Sequence, residues 1–319
     1  MAIPTESFTV PQYYLIPKKL ARAYPLVGRF VQWLEAHAFR FVFWLMGRLS
    51  PERASTLSAS VFGLLSTYSD QAKKADTNLS IAFPEKSEEW RRQTVRQIFR
   101  SVGKSAAELI KLDQIWAEHE QRLEFVLHSQ AQKQIDAGGA IVFVTAHIGA
   151  WQITNLLSLY KGLSISTVYA AESNAALRQQ MLKLRESFGV KLIPTEAGVR
   201  PLLRELHKGA CVGLAMDTRL DSGQLIPYFG RDALTNTTAA RLALRTDAAL
   251  IPIRAERLGK TRFRITVYDP IVSDVPDAPM EEQAIAMSAR INDHFESWVR
   301  DNPGQWICLK RRWPKTHKL

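Results

Sequence analysis

AIVFVTAHIGAWQ, residues 140–152, is a continuous apolar run rich in β-branched residues that ends on a histidine and a glycine. The Gly138-Gly139 pair before it reads as a turn. A strand that is apolar at successive positions needs cover on both faces, which is the condition inside a parallel sheet. Beyond it, helix-like and strand-like segments alternate. WQITNLLSLY reads as helix, ISTVYA as strand, AALRQQMLKLRESFG as helix and VKLIP as strand. Helix VRPLLRELHKG, strand CVGLAMD, a glycine-containing loop and helix TTAARLALRT follow, then strands ALIPIRAER and FRITVYDPI and a helix over about 281–300. This order predicts an α/β fold, a mixed and largely parallel sheet flanked by helices.

The first third reads helical. Ser50-Pro51 supplies a cap and a proline at the first helical position, opening a helix to about Tyr68. A loop holding Asn78 and Pro84 is expected next. Ser87 then caps a helix whose apolar positions Val95, Ile98, Phe99, Val102 and Ala106 recur near every 3.6 residues. Residues 24–49 mix Phe30, Trp33, Leu34, Phe41, Trp44 and Leu45 with Arg29, Glu35, His37 and Arg40. These charges interrupt the ~18 apolar residues that a spanning helix requires. Two readings stand: a helix lying at a membrane interface, with Lys18, Lys19, Arg22 and Arg29 near anionic headgroups, or an amphipathic helix buried on the core. The division expected is a helical, membrane-interface segment over 1–70 and an α/β domain over 71–319 ending in a basic tail that includes Lys315 and Lys318.

The chain has 319 residues and a net charge of +11, from 42 Lys and Arg against 31 Asp and Glu. The positive excess attracts polyanions without choosing among nucleic acid, anionic lipid and an acidic carrier protein. No recognition helix, zinc pattern or single-strand aromatic platform supports nucleic acid, which is not expected as a partner. Cys211 and Cys308 stand far apart without a Cys/His grouping, so neither a disulfide framework nor a metal site is expected, and a reducing compartment is. The first residues, MAIPTESFTVPQYY, are polar and proline-broken and are not expected to act as a secretory signal.

Ligands of open parallel sheets bind at the carboxyl ends of the strands. One strand delivers His147 there, with Gly149 for a tight turn, and another delivers Asp217-Thr218-Arg219. An imidazole can deprotonate a hydroxyl near neutral pH, and an arginine can hold a phosphate or carbonyl oxygen. Taken singly, a strand-end histidine is more often structural, and an aspartate there more often a cap or turn former.

An ordered set of segments carries more. NLSIAFPEKS (78–87), TAHIGAWQ (145–152), VYAAESNAALRQQMLKLRESFG (168–189) and GVRPLLRELHKG (198–209) are followed by the long block from Met216 to Ile253 and by NPGQWICLKRRWPK (302–315). Together they resemble the lipid A biosynthesis acyltransferases, the lauroyl and myristoyl transferases related to the glycerolipid acyltransferases. The resemblance implies a glycerolipid-acyltransferase-like fold and an enzyme at the cytoplasmic face of the bacterial inner membrane, peripheral or monotopic. It implies transfer of a fatty acyl chain from acyl carrier protein to a hydroxyl of a lipid acceptor, a lipid A precursor or a related lipid, without cofactor or metal. His147 would be the general base and Gln152 its motif partner. Arg185, Asp217, Arg219, Asn174, Arg311 and Arg312 would contact substrate, the two C-terminal arginines serving headgroups equally well. Trp151 is expected to pack under the site, Asn236 to cap a helix, and Tyr228 and Phe229 to line an acyl channel or close a loop.

Three positions depart from the family pattern. Gln152 replaces an acid in the H-x4-E/D motif, Ala170 replaces an arginine, and Lys310 replaces a histidine. An amide can fix the tautomer of an imidazole but cannot supply the charge that favours imidazolium. Asp217 and Glu172 are the carboxylates that could fill the gap. With none, the chain would be a slow enzyme or a catalytically silent acyltransferase fold that binds lipid or a partner enzyme. The missing arginine at Ala170 suggests an altered acceptor.

Overall fold

The computed structural model describes residues 20, 23–66, 69–170 and 174–313. Lys18, Lys19, Arg22, Tyr68, Glu172, Lys315 and Lys318, each invoked above, lie outside these residues. Helices α1 (Pro25–Arg48), α2 (Pro51–Leu65), α3 (Asp70–Ala82), α4 (Glu88–Ile110), α5 (Leu112–Ala117) and α6 (His119–Arg122) come first. Strand β1 (Leu123–Leu127), helix α7 (Ser129–Ala137) and strand β2 (Ile141–Thr145) follow. A 3-10 turn over Trp151–Leu156 runs into α8 (Leu157–Lys161), β3 (Ile165–Tyr169), α9 (Ala175–Glu186) and β4 (Lys191–Pro194). Then come α10 (Arg200–His207), β5 (Cys211–Ala215), β6 (Gln224–Tyr228), β7 (Arg231–Thr235), α11 (Thr238–Thr246), β8 (Ala249–Gly259), β9 (Arg262–Val267) and α12 (Met280–Asp301).

The main sheet has seven strands in the order β1-β9-β8-β2-β5-β3-β4. From β8 to β4 all pairings are parallel, and β9 turns back antiparallel on β8 and runs parallel with β1. Along β2, Val142 and Val144 enter one apolar cluster, while Ile141 and Phe143 enter the cluster on the opposite face. That alternation, covered on both sides, is why the strand reads as unbroken apolar sequence.

Two features depart from the sequence reading. The segment around Asn78 is helix α3, not loop, because a buried Asn78 donates to the carbonyls of Cys308 and Lys310 at 2.9 and 2.7 Å. An interior asparagine weakens helix propensity, and these long-range bonds override it. The glycine-containing loop holds the antiparallel β6–β7 hairpin, whose strands are short and polar enough to hide the pattern. The predicted caps at Ser50 and Ser87 are present, accepting from the amides of Arg53 and Trp90.

Helix α1 turns its buried side inward through Gly28, Glu35, Ala36 and Met46. Its aromatic residues face out: Phe30 is 62 % exposed, Trp33 55 %, Phe41 61 % and Trp44 56 %. On α2, Leu57, Val61, Leu64 and Leu65 are exposed as well. The helix therefore packs by a narrow inner face of Gly28, Glu35, Ala36 and Met46, and its aromatic residues are not part of the core. Asn174 donates to the Glu35 carboxylate at 3.2 Å and to the Gln32 carbonyl at 3.3 Å, so polar contacts anchor this helix. Among the described residues, no helix is long and apolar enough to cross a membrane.

Candidate active site

Strands β2 and β5 are parallel neighbours with Thr145 opposite Ala215. Two residues further along each strand stand His147 and Asp217, so register alone brings them to one level. The Met216 amide continues the ladder by donating to the Thr145 carbonyl at 2.9 Å. A slip of one residue would put one of the two side chains on the opposite face.

The His147 ring is 30 % exposed, and Nδ1 lies 2.7 Å from Oδ1 of Asp217, whose side chain is 3 % exposed. The His147 amide donates to the same oxygen at 3.0 Å, and Trp306 Nε1 donates to Oδ2 at 3.3 Å. With Nδ1 as donor to the carboxylate, Nε2 is left as the basic nitrogen. Burial favours the neutral imidazole, but the Asp217 charge and hydrogen bond outweigh it and raise the His147 pKa above its ordinary value, with Lys310 opposing. Burial pushes the Asp217 carboxyl up; the His147 charge, hydrogen bonds from its ring and amide, and the Arg312 charge prevail and hold it below the usual carboxylate range. Each group thus favours the charged form of the other.

The turn after His147 is held from behind. Gly149 sits at φ +58°, where a Cβ would meet Gln305 Oε1 at 2.8 Å and the Ala255 carbonyl at 3.0 Å. Its amide donates to the Gln305 carbonyl at 3.0 Å, and Ile307 donates to the His147 carbonyl at 2.8 Å. Ser105 donates to the Gly149 carbonyl at 3.1 Å, and Arg257 donates to Ser105 at 2.8 Å while paired with Glu108. Helix α4, strand β8 and the segment after α12 therefore converge on one turn.

His147 opens into a cavity of about 250 Å³ shared with Trp151, Gln152, Tyr169 and Arg185. Phe143, Leu157, Ile165, Phe188 and Ile253 make much of its wall apolar. Gln152 does not hold the imidazole. Its Oε1 is buried with no hydrogen-bond partner among the described residues, as is Oγ1 of Thr145 in the same wall. Arg185 lies with its guanidinium 5.6 Å from the centre of the Tyr169 ring.

The other expected contacts lie elsewhere. Asp217 is behind the imidazole rather than in the cavity wall. Arg219 pairs with Asp221 at 2.7 Å, and Asn174 is buried against α1. Arg311 is half-buried outside this wall. Arg312 is 2 % exposed and donates to the Leu234 carbonyl and to Thr235 Oγ1, so it does not meet headgroups. Its guanidinium lies over Tyr228, and Tyr228 and Phe229 are buried with Trp306 and Trp313 instead of lining the cavity. Asn236 Oδ1 accepts from Thr238 at 2.9 Å, as a cap should. Trp306 escaped the sequence reading, because an indole far along the chain carries no local signal of a partner at Asp217.

The family model described as bacterial lipid A biosynthesis acyltransferase matches residues 19–315. A lipid A biosynthesis acyltransferase of Haemophilus influenzae is 23 % identical over 244 residues, 75 % of this chain and 74 % of the relative. A phosphatidylinositol mannoside acyltransferase of Mycobacterium tuberculosis is 25 % identical over 211 residues, 60 % of this chain and 65 % of the relative. The lipid A biosynthesis myristoyltransferase of Escherichia coli is 24 % identical over 251 residues, 76 % of each chain. With the match running across nearly its whole length, the chain belongs to the bacterial lipid A biosynthesis acyltransferase family and is an acyltransferase.

Proposed function

We propose that this protein transfers a fatty acyl chain from acyl carrier protein to a hydroxyl of a lipid acceptor, a lipid A precursor or a related glycolipid. The observation that carries the reading is the cavity-facing imidazole hydrogen-bonded at 2.7 Å to a buried carboxylate. Nε2 of His147 takes the proton of the acceptor hydroxyl as its oxygen attacks the thioester carbonyl. The tetrahedral intermediate collapses to the ester, and the departing sulfur takes the proton from the imidazolium. Asp217 stabilises that imidazolium, the task an aspartate performs in a hydrolase triad. The departure at Gln152 therefore leaves the imidazole with a carboxylate, which favours an enzyme over a degenerate binding protein. Gln152 and Thr145 stand in the wall beside the imidazole, and Arg185 offers charge to a phosphate or to the developing oxyanion.

The exposed aromatic and aliphatic faces of α1 and α2 form the surface that lies on the membrane, at the cytoplasmic face of the inner membrane. Amphipathic rings at an interface and a net charge of +11 both suit an anionic bilayer and an acidic carrier. The test is transfer of radiolabelled acyl groups from acyl carrier protein to lipid A precursor and to mannosylated or glycerol-based lipids, comparing wild type, His147→Ala and Gln152→Glu. His147→Ala should lose on the order of 10²–10⁴ in rate. Full activity of His147→Ala ends this mechanism, and a silent wild type rescued by Gln152→Glu returns the degenerate reading.

A further inference from the structure

A second cavity, of about 700 Å³, lies between α2, α4, the β8–β9 hairpin and residues 301–305, and shares no lining residue with the His147 cavity. Its carboxylates are already engaged: Glu52 with Arg122, Glu108 with Arg257, and Asp301 with Arg254. Four cations in its lining, Arg100, Lys104, Lys260 and Arg262, have no ion-pair partner among the described residues. Lys104 is half-buried on the same face of α4 as Arg100, one turn on. Burial, and next the charges of Arg257 and Arg100, lower its pKa, with Glu108 opposing. The charges of Arg257 and Arg100 on Lys104 are only partly offset by Glu108, and a bound dianion reduces that repulsion while accepting several charge-assisted hydrogen bonds.

We propose that this cavity is a second ligand site, separate from the acyl-transfer cleft, that binds a phosphate monoester, either a soluble molecule or a lipid headgroup. Most side chains of the lining are charged or polar, with Gln97, Ser101 and Asn302 among the further donors, so it offers contacts to the phosphate end of a ligand. Its concavity suits a small group better than the convex face of an acidic protein. The cavity backs directly onto the turn that carries His147. Arg257 and Gln305 line it, and both reach Gly149, Arg257 through Ser105 and Gln305 by its carbonyl. The proposal does not depend on the chemistry assigned to the other cleft, which is assayed separately by acyl transfer.

The test is lysine footprinting of the full chain with an amine-acetylating reagent, read by mass spectrometry at matched ionic strength. Glycerol 3-phosphate should slow modification of Lys104 and Lys260 roughly tenfold and leave Lys133 unchanged, since screened long-range attraction would not select among lysines. Phosphatidylcholine vesicles with and without phosphatidic acid form the second arm. Protection by phosphatidic acid identifies a headgroup, and protection by glycerol 3-phosphate alone identifies a soluble ligand. Arg100→Gln with Arg262→Gln should abolish protection, while Lys133→Gln with Arg290→Gln, an equal loss of charge outside the cavity, should not. Absence of site-selective protection in the wild-type chain overturns the proposal whatever the variants do. Equal protection by polyglutamate also overturns it, as general attraction of polyanions.

Discussion

The end of strands β2 and β5 and helix α1 invert the usual placement of residues in opposite ways. At the sheet, a carboxylate is buried against Trp306 and satisfied by three donors. On α1, Glu35 is inside and the tryptophans are outside. The first arrangement is over-determined, since register, the Gly149 turn, Ser105 and Trp306 all act on the same few atoms. The second is set by a few polar contacts and a small apolar contact through Ala36 and Met46, and its aromatic surface has no part in the core. Substitutions at the sheet end should therefore disturb chemistry or stability, while those on the outer face of α1 should disturb neither and alter only what the protein lies against.

Asp217→Asn is the most severe way to probe this contrast. By analogy with the loss of a triad aspartate, the rate should fall by about 10³–10⁴ with the fold retained, checked by single-turnover acyl transfer and circular dichroism. The pH profile supplies an independent sign. As the proposed base, His147 must be neutral to act, and Asp217 raises its pKa, so the acid limb of kcat/KM should lie above the ordinary histidine value of about 6.5. Asp217→Asn should move that limb to lower pH, because burial then acts without the compensating charge. A limb that stays in place would show that another group titrates.

Next in size is the support behind the turn. Arg257 and Glu108 have side chains 8 % and 3 % exposed and are paired at 2.6 Å. Glu108→Gln leaves a buried guanidinium without its counter-charge and should cost about 3–5 kcal/mol in urea unfolding. Gly149→Ala should cost about 1–2 kcal/mol from the left-handed backbone alone, with the contacts to Gln305 and Ala255 adding to it and lowering kcat. The smallest effect on stability belongs to α1. Trp33→Ser with Trp44→Ser should change unfolding free energy by no more than about 0.5 kcal/mol per site, yet reduce binding to anionic vesicles in co-sedimentation. Strong destabilisation of that variant would mean that α1 uses its aromatic face for packing.

Much of the sheet was legible because its signal is local. A two-sided apolar run, glycine turns and serine caps act within a few residues, and they located β2, β5 and the start of α4. Helix α3 and the β6–β7 hairpin were not legible, since Asn78 is committed to carbonyls more than 200 residues away and the hairpin strands alternate weakly. The site divides similarly. His147 and the Asp217 turn announced themselves as polar residues at the ends of apolar strands. Gln152 drew attention by its place five residues after His147, where the motif has an acid, but the 3-10 turn over Trp151–Leu156 does not bring its amide to Nδ1. Arg312, adjacent to Arg311 and identical to it in chemistry, points into the protein, a distinction that no charge count carries.

The amino-acid order by itself determined that a histidine would stand at the mouth of a parallel sheet with a glycine to turn the chain, because strand propensity and φ freedom are properties of short segments. Which carboxylate serves that histidine was decided only in three dimensions. Residues 147 and 217 meet because β2 and β5 are neighbours in register, and that adjacency is a matter of how the sheet is wound. The same holds for α1: its amphipathic pattern is in the sequence, but only its tertiary contacts, Asn174 on Glu35 and Met46 against Ala54 and Ala107, decide that the aromatic side is the one left outside.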